Sequence, residues 1–154
     1  MAFGRTLPYT ATMMKNMMVT MSFKAADMEK SLRILILEDR ASDADLIEFE
    51  LEEAGIAFTS RRTETERDYL EALQEFSPDL ILSDYDLPQY TGALALAAVK
   101  NISPEVPFIL VTGAATEYDG LYSDILTQGA RGCVLKNHLE HLAPAVRKVL
   151  REIP

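Results

Sequence analysis

Tryptophan is absent, cysteine occurs once, histidine twice, and basic residues are scarce beside acidic ones. Each shortage excludes something. A single thiol, Cys133, rules out an internal disulfide and fits a reducing, cytoplasmic setting. A membrane span needs about 20 apolar residues in a row and a secretory signal needs an apolar core before a small-residue cleavage site; the chain has neither. His138 and His141 lie three apart without an evident third ligand, so solvated side chains are expected there instead of a metal pair. Lysine and arginine number 15 against 24 aspartates and glutamates, a net charge of −9. The first 31 residues hold four of the cations and two of the anions, which leaves −11 on the remainder. So acidic a body repels phosphate backbones, which argues against direct nucleic-acid binding and for cationic partners or a bound metal.

What is present suits one ordinary domain: 154 residues, 48% hydrophobic and 25% charged, are enough to bury a proper core. Residues 1–31 differ in composition, with Met14, Met17, Met18 and Met21 at helical spacing. They are expected to form a flexible extension, with a short partner-binding helix as the alternative, and Met21 or Met28 offers a later start. The domain proper is placed at 32–154.

From Leu32 onward short apolar runs alternate with helical patterns. Strands are predicted at 32–37, 56–62, 79–83, 107–111 and 132–135. Ser42-Asp43-Ala44-Asp45 reads as a capping-box-like helix start that stops at Gly55, and Thr63-Glu64-Thr65-Glu66 opens a second helix that ends at Ser77-Pro78. Thr91-Gly92 leads into ALALAAVK, a helix so rich in alanine that it must lie close against something. A fourth helix spans about 117–128, and the last starts near His138. Five alternations of strand and helix imply an α/β fold, a parallel sheet with helices on both faces.

In such a sheet ligands collect at the carboxyl ends of the strands. The residues that follow the apolar runs are Glu38-Asp39, Asp84, Thr112 and Lys136. Gathered carboxylates repel one another by several kcal/mol at an effective dielectric near 20, and a hard divalent cation removes that conflict. Mg²⁺ leaves room for water and a phosphoryl oxygen, which a lysine and a threonine suit as point charge and hydrogen-bond donor. Asp84 then has a role as an oxygen nucleophile beside a metal.

These residues resemble the response-regulator receiver domain of two-component signalling, the CheY-like family. The resemblance covers about residues 32–152 and rests on LEDR (Glu38, Asp39), SDYDLPQYTG (Asp84, Pro88, Gly92), LVTGA (Thr112, Gly113, Ala114) and GARGCVLK (Gly129, Ala130, Lys136). It implies a doubly wound, flavodoxin-like sheet of order 2-1-3-4-5. It also implies phosphorylation of Asp84 by a histidine kinase or phosphotransfer protein, with Mg²⁺ held by Glu38, Asp39, Asp84 and the backbone carbonyl of Asp86. Thr112 and Lys136 would contact the phosphoryl oxygens, an unknown downstream protein would read the changed surface, and a homodimer is open. No activity is expected beyond self-phosphorylation from a donor and slow self-dephosphorylation, and since no output domain follows the last helix, the chain stands alone or is a piece of a larger protein.

The pattern departs from the family in three places. Cys133 stands where the switch aromatic belongs, Asn137 replaces a proline after the lysine, and the Thr112 to Lys136 interval is longer than usual by about two residues. Taken singly, Glu38-Asp39 reads as an ordinary helix start, Thr112-Gly113 as a turn, Lys136 as a surface lysine and Cys133 as a buried inert thiol. Tyr118 and Tyr122 lie four apart and fit packing or a binding face equally. Two other functions remain: a receiver-like docking module that no longer uses phosphate, and a D-x-D aspartyl phosphatase built on Asp84-Tyr85-Asp86.

Overall fold

Apolar residues on successive strand positions bury both faces of one parallel sheet in the computed structural model, which describes residues 31–113 and 119–152. The sheet contains β1 (Leu32–Leu37), β2 (Phe58–Thr63), β3 (Leu80–Ser83), β6 (Phe108–Thr112) and β7 (Gly132–Leu135), in the order β2-β1-β3-β6-β7. Between β3 and β6, β4 (Asp86–Leu87) and β5 (Tyr90–Thr91) pair antiparallel as a separate small hairpin. With the hairpin set aside, this is the expected 2-1-3-4-5 order. The helices are α1 (Ala41–Glu53), α2 (Glu66–Glu75), α3 (Gly92–Ile102), α4 (Asp119–Thr127) and α5 (Leu142–Arg151), and a 3-10 turn covers Lys136–His141. The expectations for residues 1–30, Ala114 and Tyr118 fall outside the described residues.

Two apolar layers sandwich the sheet. Leu35, Leu37, Ile81 and Leu110 face α2, α3 and α4, where they meet Tyr69, Leu96 and Ile125. The alternate positions Ile34, Ile36, Leu82 and Val111 face α1 and α5, where they meet Ile47, Leu51 and Val146. Period-two alternation in strands buried on both sides thus serves both layers. Burial of each such Leu or Ile contributes about 1.5–3 kcal/mol.

Helix ends follow local chemistry, with one exception. The Thr65 side chain accepts from Asp68 N and the Thr91 side chain from Leu94 N, so α2 and α3 have side-chain caps. Gly55 closes α1 at φ +77°, where the Gly55 and Ile56 amides reach back to Glu52 O and Leu51 O. The start of α1 differs from expectation: Arg40 is the N-cap and makes no side-chain cap bond. The Ser42 to Asp45 segment already lies inside the helix, and Asp43 is engaged elsewhere. Strand β2 begins at Phe58, two residues later than predicted, because Ile56 is used to close α1. The last helix begins at Leu142, since the chain first turns through Lys136–His141 with non-helical dihedrals at His138.

Candidate functional site

The carboxyl ends of β1 and β3 lie side by side, with Leu37 paired to Ser83, so the next residues Glu38 and Asp84 meet. Asp84 N donates to Leu37 O at 2.9 Å and Glu38 N to Thr63 O at 3.0 Å, which ties both backbones to neighbouring strand ends. One oxygen from each of Glu38, Asp39 and Asp84 falls within 4.8 Å of the others. On the other side, β6 pairs with β7 and Thr112 matches Leu135, so Lys136 emerges directly beside them. Thr112 is fully buried at this edge.

Lys136 reaches into the carboxylates. Its Nζ donates to Asp84 Oδ2 at 2.9 Å and to Asp43 Oδ2 at 2.8 Å. Glu38 Oε2 lies 2.7 Å from the same ammonium but off the line of a hydrogen bond, so charge alone holds that contact. Burial works to lower the Lys136 pKa, but the contacts to Asp43, Glu38 and Asp84 outweigh it and hold the group above an ordinary lysine. The remaining oxygens are placed by backbone amides: Tyr85 N donates to Asp84 Oδ1 at 2.7 Å and Arg40 N to Glu38 Oε1 at 3.1 Å.

Glu38 carries the electrostatic strain. It is 1% exposed, and burial, reinforced by the Asp84 charge, pushes its pKa up to about 6 against the lowering contacts of Lys136 and Arg40 N. Its Oε2 is buried and has the Lys136 ammonium at 2.7 Å as an ion-pair partner without a directed hydrogen bond. Clustered hard oxygen donors, one of them buried and without a directed hydrogen bond, fit a small divalent cation such as Mg²⁺.

The sequence-predicted residues are thus largely brought together: Glu38, Asp39 and Asp84 form one cluster, Lys136 contacts Glu38 and Asp84, and Thr112 stands at the adjoining strand end. The Asp86 side chain is exposed in β4 and its carboxylate is not part of the cluster; the residue pairs with Thr91. Asp43 was missed. Its signal was its place four residues after Asp39, on the first turn of α1, where its local reading as a capping residue concealed a partner 93 positions away. Cys133 is half-buried instead of fully buried, opposite Leu110, and burial raises its thiol pKa. His138 and His141 are exposed and stacked, with ring centroids 5.6 Å apart, and Tyr122 is exposed.

A doubly wound parallel sheet that gathers acidic residues and a lysine at the ends of its central strands defines the class. The profile of the response regulator receiver domain matches residues 34–147, and the chain belongs to that family. Receiver domains act in two-component systems with histidine kinases or phosphotransfer proteins and generally bind Mg²⁺. The luminescence regulatory protein LuxO of Vibrio campbellii is 43% identical over 77 residues, covering 50% of this chain and 17% of LuxO. The chemotaxis protein CheY of Bacillus subtilis is 26% identical over 119 residues, covering 77% of this chain and 97% of CheY. The crystal structure of a CheY-like receiver domain protein from Methanospirillum hungatei superposes with a TM-score of 0.67 at 26% identity, covering 79% of this chain and 95% of the other. The chain therefore spans a small part of the LuxO proteins and nearly the whole of CheY. Among the described residues no helix is long and apolar enough to cross a membrane.

Proposed function

We propose that the chain is a phosphoacceptor module of a phosphorelay, phosphorylated on Asp84 by a histidine kinase or phosphotransfer protein. One observation carries this reading: the Asp84 carboxylate is clustered with Glu38 and Asp39 while its Oδ2 is held by the Lys136 ammonium. In the reaction an Asp84 oxygen attacks phosphorus, the bond from phosphorus to the donor's imidazole nitrogen breaks, and the electron pair leaves with the imidazole. Glu38, Asp39 and Asp84 would hold Mg²⁺, with the Asp86 carbonyl as a further ligand, and the bound ion would neutralise charge on the phosphoryl oxygens. Lys136 supplies a second positive charge and Thr112 a hydroxyl donor. The amide of Tyr85 on Oδ1 and the Lys136 ammonium on Oδ2 keep the nucleophile pointed.

The chain then stores a phosphoryl group and loses it slowly, without turning over a substrate, and a downstream protein reads the altered surface. The phosphatase alternative requires Asp86 as a general acid beside the nucleophile, and an exposed Asp86 outside the cluster speaks against it. The test is mass spectrometry after incubation with Mg²⁺ and acetyl phosphate. A gain of one phosphoryl group that disappears in Asp84→Asn is expected. No gain in the wild-type chain, together with no amide NMR response to beryllofluoride, would leave the docking-module reading in its place.

A further inference from the structure

The Lys136 ammonium has three N–H bonds and three carboxylate neighbours, Glu38 at 2.7 Å, Asp43 at 2.8 Å and Asp84 at 2.9 Å. The three neighbours are not equivalent. Glu38 and Asp84 belong to the cluster that fits a divalent cation; among the described residues Asp43 does not. Asp43 comes instead from the first turn of α1, where its amide and that of Ala44 donate to Arg40 O at 3.1 Å. Ala44 and Ile47 of the same turns are buried in the core, so the carboxylate is presented from a fixed support.

A cation seated on Glu38, Asp39 and Asp84 neutralises two of the lysine's partners and repels its ammonium from them. A phosphoryl group on Asp84 removes one of those two altogether. A four-carbon lysine side chain left without an anchor regains its rotamer freedom and swings into solvent.

We propose that Asp43 is a positioning residue for the phosphoryl-transfer site, the anchor that keeps Lys136 in place once cation and phosphoryl group have claimed Glu38 and Asp84. Its carboxylate holds the ammonium at one N–H and leaves the other two free to turn to a phosphoryl oxygen. Asparagine at 43 keeps an acceptor oxygen of similar reach and loses the charge, so it separates anchoring by charge from mere filling of space. The phosphorylation half of this inference rests on Asp84 as phosphoacceptor; the lysine-anchoring half requires only that a cation binds.

The experiment uses the full chain with ¹⁵N-labelled lysine side chains, observed by NMR with and without saturating Mg²⁺, in wild type, Asp43→Asn and Lys136→Met. The Lys136 ammonium signal, assigned by its loss in Lys136→Met, should be visible in the wild type under both conditions. In Asp43→Asn it should survive without Mg²⁺, where Glu38 and Asp84 still hold it, and broaden away when Mg²⁺ is added. Uptake of phosphate from acetyl phosphate should fall about tenfold in Asp43→Asn, the size expected for one charge-assisted contact, and by less than about twofold when the same change is made in Lys136→Met. A signal in Asp43→Asn unaffected by Mg²⁺, or equal losses of uptake on both backgrounds, overturns the proposal. A wild type that takes up no phosphate overturns the proposed function, while the lysine signals still decide the role of Asp43. A wild type in which Mg²⁺ changes no spectrum overturns both. Should Asp43→Asn lose its dispersed amide spectrum, Asp43→Ser carries the same comparison.

Discussion

Gly92 lies against the main-chain oxygen of Asp84: a Cβ at position 92 would stand 2.7 Å from that oxygen and 2.9 Å from Leu110 Cδ1. The Gly92 amide also donates to Tyr85 O at 2.8 Å, so the first residue of α3 is bonded into the turn that follows Asp84. The requirement for glycine here is space, since its φ is not in the left-handed region. Gly92→Ala should therefore destabilise the chain by about 1–3 kcal/mol through overpacking. It should also shift the amide resonances of Asp84 and Tyr85. Urea unfolding checks the first effect and NMR the second; unchanged values for both would mean that α3 yields freely.

Glu38 predicts a pH dependence. Its folded pKa of about 6 lies above the ordinary 4.5, so between those values the native state binds more protons than the unfolded one. Stability from this group is accordingly greatest below about pH 4.5 and is lost as pH rises through about 6, by roughly 2 kcal/mol in total for a shift of this size. In metal-free buffer, wild type should lose that amount relative to Glu38→Gln between pH 4.5 and 7. Parallel stability curves for the two proteins would contradict the assignment.

Cation binding should appear as stabilisation. If Mg²⁺ binds the folded chain alone, a concentration of 100 times its Kd adds about 2.7 kcal/mol, and the melting temperature should climb with Mg²⁺. Asp39→Asn and Asp84→Asn should flatten that climb. Lys136→Met should leave it intact or steepen it, because a competing ammonium is removed from Glu38 and Asp84. Calorimetric melts across a Mg²⁺ series would show the order, and loss of the response in Lys136→Met would reverse the roles given to these groups.

Tyr69 is wholly buried, and its hydroxyl donates to Ala95 O at 2.7 Å, joining α2 to α3. Burial raises its pKa, with the neighbouring Tyr90 adding to the effect, so the hydroxyl stays protonated and remains a donor. Tyr69→Phe should cost about 1 kcal/mol, the net value of one such bond, and leave Mg²⁺ binding unaltered. Chemical denaturation with a parallel Mg²⁺ titration is the measurement, and an equal effect on both would tie this pair to the site.

Leu32–Leu37 and Leu80–Ser83 were legible in the sequence because strands buried on both faces must be continuously apolar, and a carboxylate directly after such a run marks the strand's end. The order of strands and the clustering of Glu38, Asp39, Asp84 and Lys136 followed from resemblance combined with that edge rule. Features that depend on distant partners were less visible. Asp86-Leu87 and Tyr90-Thr91 are strands of two residues each, too short for any alternation to register around Pro88-Gln89. Asp43 has the local signature of a helix start, and nothing near it in the chain announces Lys136. His138–His141 likewise reads as the start of the last helix, while the helical run begins only at Leu142, after the kink at His138.

Three oxygens crowd the one ammonium of Lys136, and an ammonium has no fourth hydrogen to offer. Asp43 and Asp84 take two of those hydrogens and the Glu38 carboxylate presses on the same nitrogen at 2.7 Å, so any newcomer crowds against residue 38, 43 or 84. Those residues open onto β1, α1 and β3, so a change of company at a single nitrogen is felt at once by three separate parts of the framework.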